Sequence, residues 1–112
     1  MTRYLISFDH GEMAHIPNEH VPAVAKAAHA VTQEAMEAGV FVFAGGFTED
    51  VAVVAPDGMV ADASKSKPHI GGGMIIDVPS REDALEWAAK IALACRCAQE
   101  LHEVMPDPMV GN

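Results

Sequence analysis

The chain has 112 residues and a formal charge of −9, from 16 acidic and 7 basic side chains, and half of its residues are hydrophobic. That length fits one domain with a real core, and the acidic balance without a basic stripe excludes nucleic acid and an anionic membrane surface as partners. No apolar run approaches the ~20 residues of a membrane span, and the Met1-Thr2-Arg3 start enters a strand-like run too short for a signal peptide, so the expected location is cytoplasmic.

Arg3-Tyr4-Leu5-Ile6-Ser7-Phe8 is rich in β-formers and reads as a first strand, broken by Asp9-His10-Gly11-Glu12. Asn18 then stands as an N-cap, with Glu19 at the positive end of the helix dipole and Pro22 in the first turn. Val21, Val24, Ala28, Val31, Ala35 and Ala38 recur at spacings of three and four and form one apolar stripe. Lys26, His29, Gln33 and Glu37 fall on the opposite face, where His29 is expected to be solvated. Gly39 stops the helix.

Residues 40–44 and 51–54 read as short strands, and the turn signal Pro56-Asp57-Gly58 lets residues 59–61 return as a hairpin partner. A glycine-rich segment leads into a strand over residues 74–78. Ser80-Arg81-Glu82-Asp83 resembles a capping box. Ala84, Leu85, Ala88, Ile91, Ala92 and Cys95 stripe a second helix, with Glu86 and Lys90 as an i,i+4 ion pair. Residues 101–105 make a last strand, ended by Pro106-Asp107-Pro108. Cys95 and Cys97 sit too close together for a structural disulfide and read as small apolar residues.

The order β-α-β-β-(β)-β-α-β predicts an α+β fold, a ferredoxin-like split βαβ sandwich. One stripe per helix puts both helices on the same sheet face. Val40, Val42 and Ala44 alternate with Phe41 and Phe43, so both sheet faces are expected to be apolar. The uncovered face then needs a second sheet, and a second copy of the chain supplies one: the expected assembly is a homodimer packed sheet to sheet.

The segment Ser66-Lys67-Pro68-His69-Ile70-Gly71-Gly72-Gly73 carries the most chemical information. Adjacent glycines before a strand allow close approach of another group. An imidazole titrates near neutrality, so His69 is a candidate acid or base, with Asp9 or Asp62 to orient it. His10, Ser66, Lys67, Gly71 and Gly72 are candidate ligand contacts, and His69, rather than His29, is expected to face the pocket. In the competing reading His69 braces the loop through one hydrogen bond. His10, His15 and His20 are spaced by five, which does not place them on one helix face, so no metal is expected. No nucleotide-binding glycine pattern is present, and no organic cofactor is expected. Two functions stay open: proton-transfer or lyase-type chemistry on a small organic molecule, or a non-catalytic binding or assembly module.

These pieces together resemble the YCII-related family, in its DGPF-domain branch. The resemblance runs from the opening strand into Asp9, through Gly45-Gly46 and Ser66-Lys67-Pro68-His69-Ile70-Gly71-Gly72, to Ile75-Ile76-Asp77-Val78-Pro79-Ser80, Trp87-Ala88-Ala89-Lys90-Ile91 and Glu103-Val104-Met105-Pro106. It implies a dimeric α/β barrel. The branch's Asp-Gly-Pro-Phe signature is replaced by Asp62-Ala63-Ser64-Lys65. The His–Asp pair of the other branch has no counterpart, because Lys90-Ile91-Ala92-Leu93 contains no acid.

Overall fold

The structure is a computed structural model and describes residues 1–111. It is a small α+β fold with two helices on an antiparallel four-stranded sheet. The elements are β1 (Thr2–Asp9), α1 (Val21–Glu37), β2 (Phe41–Gly46), β3 (Ala52–Val54), β4 (Val60–Asp62), β5 (Ile70–Val78), α2 (Arg81–Cys95) and β6 (Glu100–Glu103). The main sheet runs β2-β5-β1-β6, while β3 and β4 form a separate hairpin. The crossovers β1–α1–β2 and β5–α2–β6 therefore each skip a strand, and each gap is filled by a strand of the other unit.

Strand alternation assigns the two faces. Tyr4 and Ile6 of β1 and Met74, Ile76 and Val78 of β5 are buried against Val31 and Ala35 of α1 and Ala84, Ala88, Ile91 and Cys95 of α2. Both helices thus cover one face, as their single stripes require. On the other face, Leu5 stands opposite Ile75 on one side and His102 on the other. No helix covers that face, and Phe43 on it is 51% exposed.

Phe41 and Phe43 depart from simple alternation. Phe41 pairs with Ile76 but Phe43 with the adjacent Ile75, so Val42 is an extra residue in β2. This bulge turns Phe41 toward the core and Phe43 to the open face. The sequence pattern places both rings on one face; the bulge divides them.

The helix ends follow local chemistry with one exception. Gly39 has φ +75°, donates to the Met36 carbonyl, and is followed by Val40 donating to the Ala35 carbonyl. These two bonds make a Schellman end, and the positive φ is why glycine stands there. The Ser80 hydroxyl accepts from the Asp83 amide at 3.2 Å and caps α2. Asn18, however, is not the cap of α1: residues Asn18–His20 form a 3-10 turn, and α1 starts at Val21 without a side-chain cap. Pro22, which lacks an N–H, sits at the start of the helix, where amides have no carbonyl partner anyway. Lys90 pairs with Glu34 across the helices at 3.0 Å instead of with Glu86, and lies 5.2 Å from the Trp87 ring centre.

Candidate functional site

The glycine-rich segment is strand rather than loop. β5 begins at Ile70, four residues before the predicted start, and takes in Gly71, Gly72 and Gly73. Phe8 pairs with Gly72 and Asp9 with Ile70, which leaves Gly71 as a bulge. A Cβ on Gly71 would lie 3.0 Å from the His10 amide nitrogen and 3.2 Å from the Asp9 carbonyl carbon. A Cβ on Gly72 would lie 2.9 Å from the Phe8 ring. The group that approaches these glycines closely is thus the chain's own first strand.

The predicted site residues gather around residues 62–72 and the end of β1. The Ala63 carbonyl accepts from the Ser66 amide at 3.1 Å, the Ser66 hydroxyl at 2.8 Å and His69 Nε2 at 2.8 Å. A carbonyl only accepts, so His69 Nε2 carries the proton and is committed to this bond. The Asp62 carboxylate accepts from the Ser64 hydroxyl at 2.6 Å and the Ser64 amide at 2.9 Å, and these bonds lower its pKa. His10 donates its backbone N–H to the His69 carbonyl at 2.8 Å, and its ring nitrogen Nε2 meets the Thr48 carbonyl at 3.3 Å. Asp9 lies beside the Gly71 bulge, and Lys67 is exposed. The side chains of His69, Ser66 and Asp62 thus bond within the segment that carries them, and the His10 ring bonds to the chain just after β2.

The large cavity lies elsewhere, between α1 and the sheet. It has a volume of about 560 Å³ and is lined by none of Asp9, His10, Asp62, Ser66, Lys67, His69, Gly71 and Gly72. Its walls are mostly apolar, with Phe8, Met13, Val24, Met36, Phe41 and Met74 among them, and its volume falls in the ordinary range for small-molecule sites. His69 does not line it, against the expectation that His69 faces the pocket, while His29 is exposed as expected and stands at its border. The helical stripe misses this because His29 stands beside the stripe, exposed next to Ala25, Ala28 and Thr32 on the cavity side of α1. The backbone of Gly45, Gly46 and Gly73 forms part of the sheet-side wall. A hollow of about 80 Å³ beside Arg3 and Asp77 is too small for an organic ligand.

Three polar side chains line the large cavity: His29, Thr32 and Gln99. Thr32 donates its hydroxyl proton to the Ala28 carbonyl at 3.0 Å. Gln99 directs its NH₂ at the Cys97 carbonyl and sulfur, at 3.5 and 3.4 Å, leaving its buried Oε1 without a donor. Cys95 also lines the cavity, and burial pushes its thiol pKa up, which keeps it protonated and unreactive.

Among the described residues, no three His, Cys, Asp or Glu side chains come together as metal ligands would. His15 Nε2 meets the Arg96 carbonyl at 2.7 Å, and His20 Nδ1 accepts from the Arg96 guanidinium at 3.1 Å. No helix of the described residues is long and apolar enough to cross a membrane. No protein-family model matches the chain, and no curated protein sequence does.

Proposed function

We propose that this chain is a binding module for a small organic molecule, held between α1 and the sheet of a ferredoxin-like subunit that pairs as a homodimer. The observation that carries the reading is the apolar cavity of about 560 Å³, which the core leaves unfilled although the chain is half hydrophobic. The strand order β2-β5-β1-β6 with two interleaved crossovers supports the ferredoxin-like assignment. The uncovered face bearing Leu5, Ile75 and Phe43 supports a second copy as partner. Both agree with the resemblance to the YCII-related family carried by Ser66-Lys67-Pro68-His69-Ile70-Gly71-Gly72. Proton transfer at His69 has less support, because its Nε2 proton is committed to Ala63 and its neighbours bond to their own loop.

The test is an amide NMR titration of the full chain with small aromatic and aliphatic compounds. Binding should shift the amides of Ala25, Ala28, Thr32 and Gly73, all on the cavity wall. Ala25→Phe, at an exposed wall position, should fill the space and abolish those shifts while leaving the fold intact. Shifts confined to residues 62–72 would move the site to the loop and overturn the reading.

A further inference from the structure

The hydrogen-bond inventory of the cavity wall says more about what it takes. Thr32 has given its only proton to Ala28, so its hydroxyl presents lone pairs alone. Gln99 has given its NH₂ to Cys97, and its unpartnered Oε1 is sealed from water. That oxygen does not reach a ligand directly, but it adds negative potential to the wall. Among the described residues no Lys or Arg lines the cavity, and the chain carries −9 overall. Among the described residues, the one lining side chain with a donor not already committed is His29, at the exposed edge of the cavity. His29 and Thr32 are three residues apart on α1 and so share a helix face. A carboxylate or phosphate entering here would lose its water and meet acceptors, which is costly. Deeper than His29, the Thr32 hydroxyl offers only lone pairs, and a neutral molecule with a hydroxyl would bring the proton that this part of the wall lacks.

Resting on the reading of the cavity as a small-molecule site, we infer that its ligand is a neutral, largely apolar compound, of the size of a fused two-ring aromatic, whose hydroxyl group donates to Thr32. His29 flanks that hydroxyl at the cavity mouth. Recognition is by donor presence and not by charge, so the site separates an alcohol or phenol from both its hydrocarbon and its acid analogue.

Three matched probes test this on the full chain: 2-naphthol, 2-methylnaphthalene and 2-naphthoate, with Kd measured by amide NMR titration. The expected result is that 2-naphthol binds at least about tenfold tighter than either analogue. Thr32→Val, which keeps the shape and removes the acceptor, should erase the advantage over 2-methylnaphthalene, and Thr32→Ser should keep it. If all three probes bind equally, donor recognition is wrong while the cavity remains a binding site. If 2-naphthoate binds tightest, the site is anionic in preference and the inference falls. If none binds, the cavity reading falls with it.

Discussion

At the scale of single residues, His69 holds a loop and does not line the cavity, while His29 stands exposed at the cavity's edge. Pro68 and the glycines made His69 conspicuous, and the structure spends its ring on holding Ala63. The Ala63 carbonyl keeps two other donors when that ring is removed. His69→Ala should therefore cost about 1 kcal/mol, the net worth of one hydrogen bond, rather than the larger penalty of an orphaned acceptor. Affinity per folded molecule for any cavity ligand should stay unchanged. His29→Ala should leave the melting temperature nearly unmoved, since the side chain is exposed, yet alter affinity at the cavity mouth. Urea melts and NMR titrations of both variants separate the two. A large affinity loss in His69→Ala would restore the loop as the site. Asp62 adds a pH dependence to the same loop. Its carboxyl pKa is depressed by bonds that exist only when residues 62–64 are folded. Its contribution is present above the unfolded carboxylate range near pH 4 and fades as pH falls through the lower folded value. With the intrinsic pH dependence of exchange divided out, protection of the Ser64 amide should fall on that acid side, and Asp62→Asn should flatten the change.

At the scale of elements, much was legible. Periodicity gave both helices and their shared sheet face, and the turn chemistry of Pro56-Asp57-Gly58 gave the β3–β4 hairpin, where Gly58 takes φ +89° and Asp57 accepts from the Met59 amide. Two features were not legible, and for one reason. The bulges at Val42 and Gly71 depend on which strand lies alongside, and neither β2 nor β5 states its partner in its own residues. The cavity was hidden likewise, because it arises from the gap between α1 and the sheet and not from any motif. The same packing ranks the helix contacts. Ile76 is 0% exposed in the centre of the core, so Ile76→Ala should lose about 2–5 kcal/mol. Lys90 bridges Glu34 in water, and Lys90→Ala should lose less than about 1 kcal/mol, including its contact with Trp87. Denaturant midpoints at constant slope check this order. Equal losses would mean that the interhelix pair carries more than a surface ion pair can.

At the scale of the whole molecule, the chain is thin for its size. It measures 45 × 43 × 18 Å, with a radius of gyration of 15.6 Å. A compact domain of this length would have a radius of roughly 13 Å. The hairpin accounts for part of the excess: Val53, Val54, Met59 and Val60 on it are all more than half exposed. Apolar surface on the arm and on the open face is what a second copy would cover. Light scattering at micromolar concentration should therefore give twice the chain mass. Phe43→Glu places a charge on that surface, on its β2 side, and should shift the mass to one chain while far-UV circular dichroism is kept. A monomer mass for the unaltered chain would remove the assembly.

The bulge at Val42 has a consequence for how this sequence can change length. A residue added to or removed from a regular strand inverts the inside–outside parity of everything beyond it, and such changes are selected against. Val42 is a place where that arithmetic is already absorbed. Without it, Phe41 and Phe43 become neighbours, and ordinary alternation alone sends one ring inward and the other outward, each to the face it occupies now. Chains with and without this residue would share one core and one open face, so a single-codon deletion here could pass silently through a strand interior, where most would be lethal to the fold.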